Sequence, residues 1–287
     1  MVSLLKTYYK SIIGQTEWSF GLWKISSEKD LAICALHSVP REFLGEFGRL
    51  VEWLKKNYTI LHPNKITEYK NSPERYTSGP YLVLTFDDGL QNNLGAAEVL
   101  ATHGVSAIFF IVPEFVESTA SEDYYLRNIR PKPDYSIDKS KEDRSAMSWD
   151  DIKRLLDLGQ VIGSHSLTHL MHGQMQHDAY EKEIIESKKV LESKLGVEIQ
   201  HFASPNNTLF STNADMCALI QKHYTWHHTT LPGKQSNENL SRGYLYRRNI
   251  EVHWPRSIVK FSLGRFDLRR WQKRRDALAL LLQHPRQ

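Results

Sequence analysis

The chain has 287 residues, of which 40% are hydrophobic and 24% charged, the ordinary balance of a globular protein with a real core. Its net charge of +4 is too small to argue for a nucleic-acid partner, and no nucleic-acid motif accompanies it. No apolar run approaches the length of a membrane span and no signal peptide follows Met1, so a cytoplasmic protein is expected.

Residues 1–30 carry Leu4, Leu5, Tyr8, Tyr9, Ile12 and Ile13 at helical spacing, then Trp18, Phe20 and Trp23. An amphipathic helix and an aromatic loop are expected there, outside the main domain. Leu31–Leu36 reads as a buried strand ended by His37-Ser-Val-Pro40. Glu42 to Asn57 has helical periodicity, Tyr58–Leu61 reads as a short strand, and residues 62–80 read as a polar loop. Leu82, Val83, Leu84 and Phe86 form a short apolar run that breaks off into Asp87-Asp88-Gly89. Adjacent carboxylates at the C-terminal end of a buried strand suit an active-site mouth, and a nearby cation would relieve their repulsion.

Asn92–Thr102 is expected to be a helix and Val105–Val112 a strand, giving a right-handed parallel unit. Residues 117–147 form a long polar insertion, and Ser148 caps a helix ending at Gly159. Gln160–Gly163 is a short strand that runs into Ser164-His-Ser-Leu-Thr-His169. A long charged helix over Gln176–Leu195 and a strand over Ile199–Ala203 follow, the strand leading into Ser204-Pro-Asn-Asn207. A helix at Asp215–Lys222, a strand at Tyr224–His228, a polar loop over 229–243 and a last strand at Leu245–Val252 bring the chain to a basic amphipathic helix at Arg265–Leu282. Cys34 and Cys217 sit in apolar contexts and read as buried free thiols. Strand–helix alternation points to one α/β domain over residues 31–255, with extensions at 1–30 and 256–287.

His165 and His169 are four apart, a spacing that lets two imidazoles on one helical turn face the same way. If the strands ending in Asp-Asp-Gly and at His165 share one parallel sheet, both motifs open at one rim. Two imidazoles and one carboxylate would then form an open catalytic transition-metal site, with zinc the default and iron, cobalt or nickel the alternatives. The second carboxylate is left to act as a base. His172 reads as a loop residue.

Thr-Phe-Asp-Asp-Gly at 85–89 and His-Ser-x-x-His at 165–169, in this order and sheet context, resemble the polysaccharide deacetylases of carbohydrate esterase family four, the NodB homology domain. The resemblance spans roughly Ala32–Val252 and implies a distorted (β/α)7-type barrel and a hydrolase of amide bonds. It also implies a division of labour in which Asp87 is the catalytic base and Asp88, His165 and His169 bind the metal. The family's usual Arg-x-Pro-Tyr motif is replaced here by Phe-Ala-Ser-Pro-Asn-Asn, leaving Ser204, Pro205 and Asn206 as substrate-binding candidates, and the usual late His-Asp is missing. His37 instead resembles the N-terminal histidine of the subgroup acting on poly-N-acetylglucosamine, where it serves as the acid. Arg248-Asn-Ile-Glu-Val252 resembles that subgroup's late strand, whose arginine orients the base. The expected substrate is an N-acetylated glycan or a lipid-linked saccharide of surface polysaccharide synthesis. Peripheral contact with a membrane through the aromatic N-terminus and the basic C-terminal helix belongs to the same expectation. The competing readings are a hydrolase of small non-sugar amides and a non-catalytic glycan-binding barrel. A serine hydrolase lacks its Gly-x-Ser-x-Gly elbow.

Overall fold

The computed structural model describes residues 30–130, 144–206, 208–264 and 271–283, together with Lys10 and Ile12. The expected N-terminal helix and aromatic loop, the middle of the 117–147 insertion and the start of the basic C-terminal segment lie outside the described residues.

Among the described residues nine strands form one sheet: β1 (Leu31–Leu36), β2 (Thr59–Ile60), β3 (Tyr81–Phe86), β4 (Ala107–Ile111), β5 (Val161–Ser164), β6 (His201–Ala203), β7 (Trp226–His228), β8 (Tyr244–Leu245) and β9 (Arg248–Asn249). Every pairing between them is parallel, along the path β8-β7-β6-β5-β4-β3-β1-β9, with β2 added to the first residues of β3. Helices connect the strands, as a parallel sheet requires.

The two ends of that path, β8 and β9, are separated in sequence by Tyr246 and Arg247 alone. Three peptide units span at most about 11 Å, so the two edges must lie side by side. The sheet is therefore curled into a distorted (β/α) barrel. The expected last strand, Leu245–Val252, is two short strands on opposite edges, with Tyr246 and Arg247 in the seam.

Alternation along the strands sorts side chains between two cores. Leu31, Ile33, Tyr81, Val83, Ile108, Phe110, Ala203, Trp226 and Leu245 pack together inside the barrel. Leu36, Leu82, Leu84, Phe86, Phe109, Ile111 and Phe202 face outward onto Phe47, Leu50 and Leu54 of the helix Leu44–Asn57 and onto the helices Asn93–Thr102 and Trp149–Asp157. Both faces are buried, which is why the strands read as continuous apolar runs. The interior is tight at Gly163: a Cβ there would sit 2.5 Å from ring atoms of Phe110 and 3.1 Å from the His201 carbonyl oxygen.

Residues 62–80 are not a plain loop. A helix at Lys65–Asn71 buries Ile66 and Tyr69, and Tyr69, Tyr76 and Tyr81 meet edge-to-face at the N-terminal end of the strands. Polar residues hid this element because only one narrow stripe of it is apolar. Likewise, the 229–243 loop contains a helix at Asn237–Ser241 with a capping box between Ser236 and Asn239. Ser148 caps the helix Trp149–Asp157 as the sequence predicts, and Asp151 completes a capping box with it.

The described residues beyond 255 include two helices that pack on the barrel. Val259 and Leu263 of the helix Arg256–Leu263 join the outer core. In the helix Gln272–Gln283, Leu278 is buried against Leu231, Tyr244 and Tyr246. Two of its basic residues are engaged within the chain, Arg275 donating to the Pro232 carbonyl and Arg274 lying over the Trp271 ring. Among the described residues no helix is long and apolar enough to cross a membrane.

Gly163→Ala is expected to destabilise the fold by about 1–3 kcal/mol through overpacking against Phe110. Gly45→Ala, on the exposed start of the helix Leu44–Asn57, is expected to stabilise by about 0.5–1 kcal/mol. Urea denaturation of both variants checks the contrast.

Candidate active site and metal centre

The β1–β3 ladder continues one residue past β3, where the Asp87 amide donates to the Leu36 carbonyl at 2.9 Å. Asp87 and His37 thus leave neighbouring strands at the same level. The chain then turns sharply, with Asp88 at φ 76° and Gly89 at φ 74°. Glycine is needed at 89 both for that φ and because Ile111 comes within 3.3 Å of where a Cβ would sit. Asp88 holds a conformation that L residues rarely adopt, a feature that concentrates at functional sites. The end of the insertion fastens this turn: the Met147 amide donates to Gly89 and the Gln91 amide to Ser145.

The second motif follows β5, and the His165 amide extends the β4–β5 ladder to the Ile111 carbonyl. His165 and His169 do converge, with ring centroids 5.0 Å apart. They do so through an irregular turn with Ser166 at φ 65° and His169 at φ 68°, not through the helical turn that their spacing implied.

Both imidazoles aim Nε2 at one oxygen. Asp88 Oδ1 lies 3.5 Å from His165 Nε2 and 3.6 Å from His169 Nε2, all three side chains being buried. Their Nδ1 atoms face carbonyls: His165 pairs with Ala203 O at 2.8 Å and His169 with Asn128 O at 3.0 Å. A carbonyl only accepts, so each Nδ1 carries the hydrogen and each Nε2 presents a lone pair toward Asp88. That tautomer is the one a metal ligand needs, and backbone carbonyls commonly fix it. Burial, then the His165 charge, pushes the His169 imidazole down to about 4, so it is neutral at physiological pH. Burial works against the Asp88 anion, but the histidines around it hold its carboxyl below the usual carboxylate range. One carboxylate and two imidazoles whose ligand atoms all lie within 4.8 Å of one another fit a divalent transition cation. A second acidic and histidine cluster, His177, Asp178 and Glu181, is fully exposed on a helix surface. His172 is an exposed loop residue.

Asp87 has a different partner. Arg247 Nη1 and Nη2 reach its Oδ1 and Oδ2 at 2.5 and 2.9 Å, a bidentate pair buried on both sides. The guanidinium also donates to Thr85 Oγ1 and the Thr229 carbonyl and lies over the Phe110 ring. Burial would push the Asp87 carboxyl up, yet Arg247, His165 and His37 keep it below the usual range and ionised. The expectation that Arg248 orients the base is therefore corrected. Arg248 points to the outer core and donates to the Leu263 and Gly264 carbonyls, capping the C-terminal end of the helix Arg256–Leu263. Neighbouring residues project to opposite faces, and Arg248 shares its phase with Ile250 and Val252 of the outer core.

His37 Nδ1 meets Glu251 Oε1 at 2.9 Å. Burial lowers the His37 pKa, but the Glu251 charge and hydrogen bond, with Asp88 and Asp87 behind them, outweigh it and raise it to about 9. The side chain keeps 31% exposure, so the penalty for its cation is partial and the upward direction stands. The remaining candidates separate. Ser204 is fully buried, with Oγ 2.6 Å from His227 Nε2, so it is part of the wall and not a substrate contact. Pro205 is buried as well, and Asn206 is exposed with φ 56°.

Sequence reasoning passed over Arg247, Glu251, Asn128 and the Ala203 carbonyl. Arg247 and Glu251 stand four apart in phase with each other, and that parity was the available signal.

A family profile described as polysaccharide deacetylase matches residues 74–224, just over half of the chain. No curated protein matches the sequence. Among solved structures, the Streptococcus pyogenes deacetylase PplD in complex with acetate superposes with a TM-score of 0.63 at 16% identity, covering 82% of this chain and 99% of that one. A de-N-acetylase from Aggregatibacter actinomycetemcomitans gives 0.61 at 15% identity, covering 81% and 99%. IcaB from Ammonifex degensii gives 0.58 at 16%, covering 81% and 95%. At these identities the superpositions speak for the shared barrel, and the profile match carries the family. With its two motifs at one rim of the barrel, the chain belongs to the polysaccharide deacetylase family, hydrolases of carbon–nitrogen amide bonds that are generally metal-dependent.

Proposed function

We propose that this protein removes the acetyl group from an N-acetylated sugar of a glycan or lipid-linked saccharide, using a divalent transition metal, zinc first, held by Asp88, His165 and His169. The observation that carries the reading is that this set stands beside a base and an acid, each with its own charged partner: Asp87 on Arg247 and His37 on Glu251. When bound, the cation supplies Lewis acidity for the acetamide carbonyl and makes nearby water a better nucleophile.

The chain's residues carry the protons. Asp87, ionised through Arg247, accepts a proton from the attacking water as the new C–O bond forms. Arg247 occupies one direction of each Asp87 oxygen and so fixes the orientation of the lone pairs that remain. His37 donates from Nε2 to the departing nitrogen as the C–N bond breaks, because its Nδ1–H is committed to Glu251. The products are acetate and a free amine. Such an acid contributes about a hundred- to ten-thousandfold.

Asp88→Ala, His165→Ala and His169→Ala are expected to lose bound metal and activity together. Asp87→Asn is expected to keep the metal and lose turnover. Metal analysis, paired with acetate release from N-acetylglucosamine oligomers, tests this; oligomers untouched while small amides are cleaved would overturn the substrate class.

Activity should fall as pH rises through the His37 pKa of about 9, since the acid is protonated only below it. Glu251→Gln removes the charge that raises that pKa, so the alkaline limb of kcat/KM should move to lower pH. An unmoved limb would remove His37 from the acid role.

Arg247→Ala strips a buried carboxylate of its cation, so the Asp87 pKa should rise and the acid limb shift toward neutrality, with kcat down on the order of a hundredfold. Arg248→Ala should leave that limb in place and cost about 0.3–1 kcal/mol of stability through the lost helix cap. Paired pH–rate profiles and denaturation curves separate the two arginines.

A further inference from the structure

The turn between the two histidines has a fastening that comes from a helix on the outside of the sheet. That helix runs from His177–Glu181 into a π-turn at Lys182–Glu186 and resumes at Ser187–Leu195. A π-turn puts carbonyls out of register with their intrahelical donors, and such turns recur at functional sites. Here those carbonyls take outside donors. Glu183 O accepts the Leu167 amide at 3.1 Å, and Ile184 O accepts the Tyr224 hydroxyl at 2.8 Å.

The same turn aims the Glu183 carboxylate at the histidine turn. Oε2 accepts the Thr168 amide at 2.9 Å and Oε1 the Thr168 hydroxyl at 2.6 Å. The Thr168 hydroxyl oxygen in turn accepts the Leu170 amide at 3.2 Å, and the Thr168 carbonyl accepts the Tyr124 hydroxyl at 3.0 Å. His169 is therefore bracketed on both sides by bonds that lead back to Glu183. The side chain of Glu183 is buried, and among the described residues no cation lies within ion-pair distance of it. A buried carboxylate without a counter-ion is costly to keep, and its hydrogen bonds to Thr168 are what compensate it.

Building on the metal reading above, we propose that Glu183 is a positioning residue of the metal centre: by locking residues 167–170 it keeps His169 in its left-handed conformation and sets how tightly Asp88, His165 and His169 hold a divalent cation. Glu183 touches none of the three ligands. It acts on the backbone that carries one of them.

The test is zinc affinity, measured by chelator competition on the full chain, with the melting temperature of the metal-stripped protein recorded alongside. Glu183→Ala should weaken zinc binding about 10- to 100-fold, the usual effect of losing an outer partner of a ligand. Thr168→Val, which removes only the hydroxyl linking Glu183 to Leu170, should weaken it several-fold, and Thr168→Ser should restore it. A lower metal-free melting temperature with wild-type zinc affinity would make Glu183 purely structural and overturn the proposal. If Glu183→Ala does not fold, Thr168→Val decides, and wild-type affinity there also overturns it. Should the wild type and His165→Ala take up zinc equally poorly, the metal reading itself falls, and the clamp with it.

Discussion

A carboxylate buried beside a second carboxylate stays charged only if something neutralises it, and for Asp87 that something is Arg247. The guanidinium comes from the two-residue seam where β8 ends on one edge of the sheet and β9 begins on the other. Closing the barrel and supplying the Asp87 counter-ion are thus one structural event. Losing one member of such a pair leaves an uncompensated buried charge, which costs about 3–5 kcal/mol.

Two neighbouring aspartates acquire different roles because the chain turns left-handed between them. Asp87 completes the β1–β3 ladder and looks to the seam; Asp88, at φ 76°, turns to the imidazoles. The rest of the site is built by carbonyls. Ala203, at the end of β6, and Asn128, in a π-turn at Tyr125–Ile129, accept from the two Nδ1 atoms and so decide that both Nε2 lone pairs face Asp88. A second π-turn supplies the carbonyl and carboxylate of Glu183 to the same loop. Helices widened at the two places where the site needs an extra acceptor are a local cost in helix geometry that pairing with the site offsets.

Much of this was legible in the chain. The apolar runs at 31–36, 82–86 and 107–111 are buried on both faces, so they read as strands without ambiguity. Ser148 as an N-cap, and Gly104 two residues past Thr102 in the left-handed conformation, marked helix ends through chemistry that is local in sequence. The helices in 62–80 and 229–243 were missed because their burial depends on partners far along the chain. Tyr69, for example, is held by Tyr76 and Tyr81 at the foot of the barrel.

The sequence by itself determined which residues could do chemistry: Asp-Asp-Gly after one strand, His-x-x-x-His after another, a histidine after a third. Residue type and spacing are local properties, and a parallel α/β fold follows from alternation with helices. Only the tertiary structure decided which arginine pairs with Asp87. Arg247 and Arg248 are adjacent and chemically identical, and a shift of one residue sends a side chain from the barrel interior to the outer core. It likewise decided that Glu251 holds His37 and that Ser204 is tied to His227, because those pairings join residues 214 and 23 apart that meet only when β1 pairs with β9 and β6 with β7.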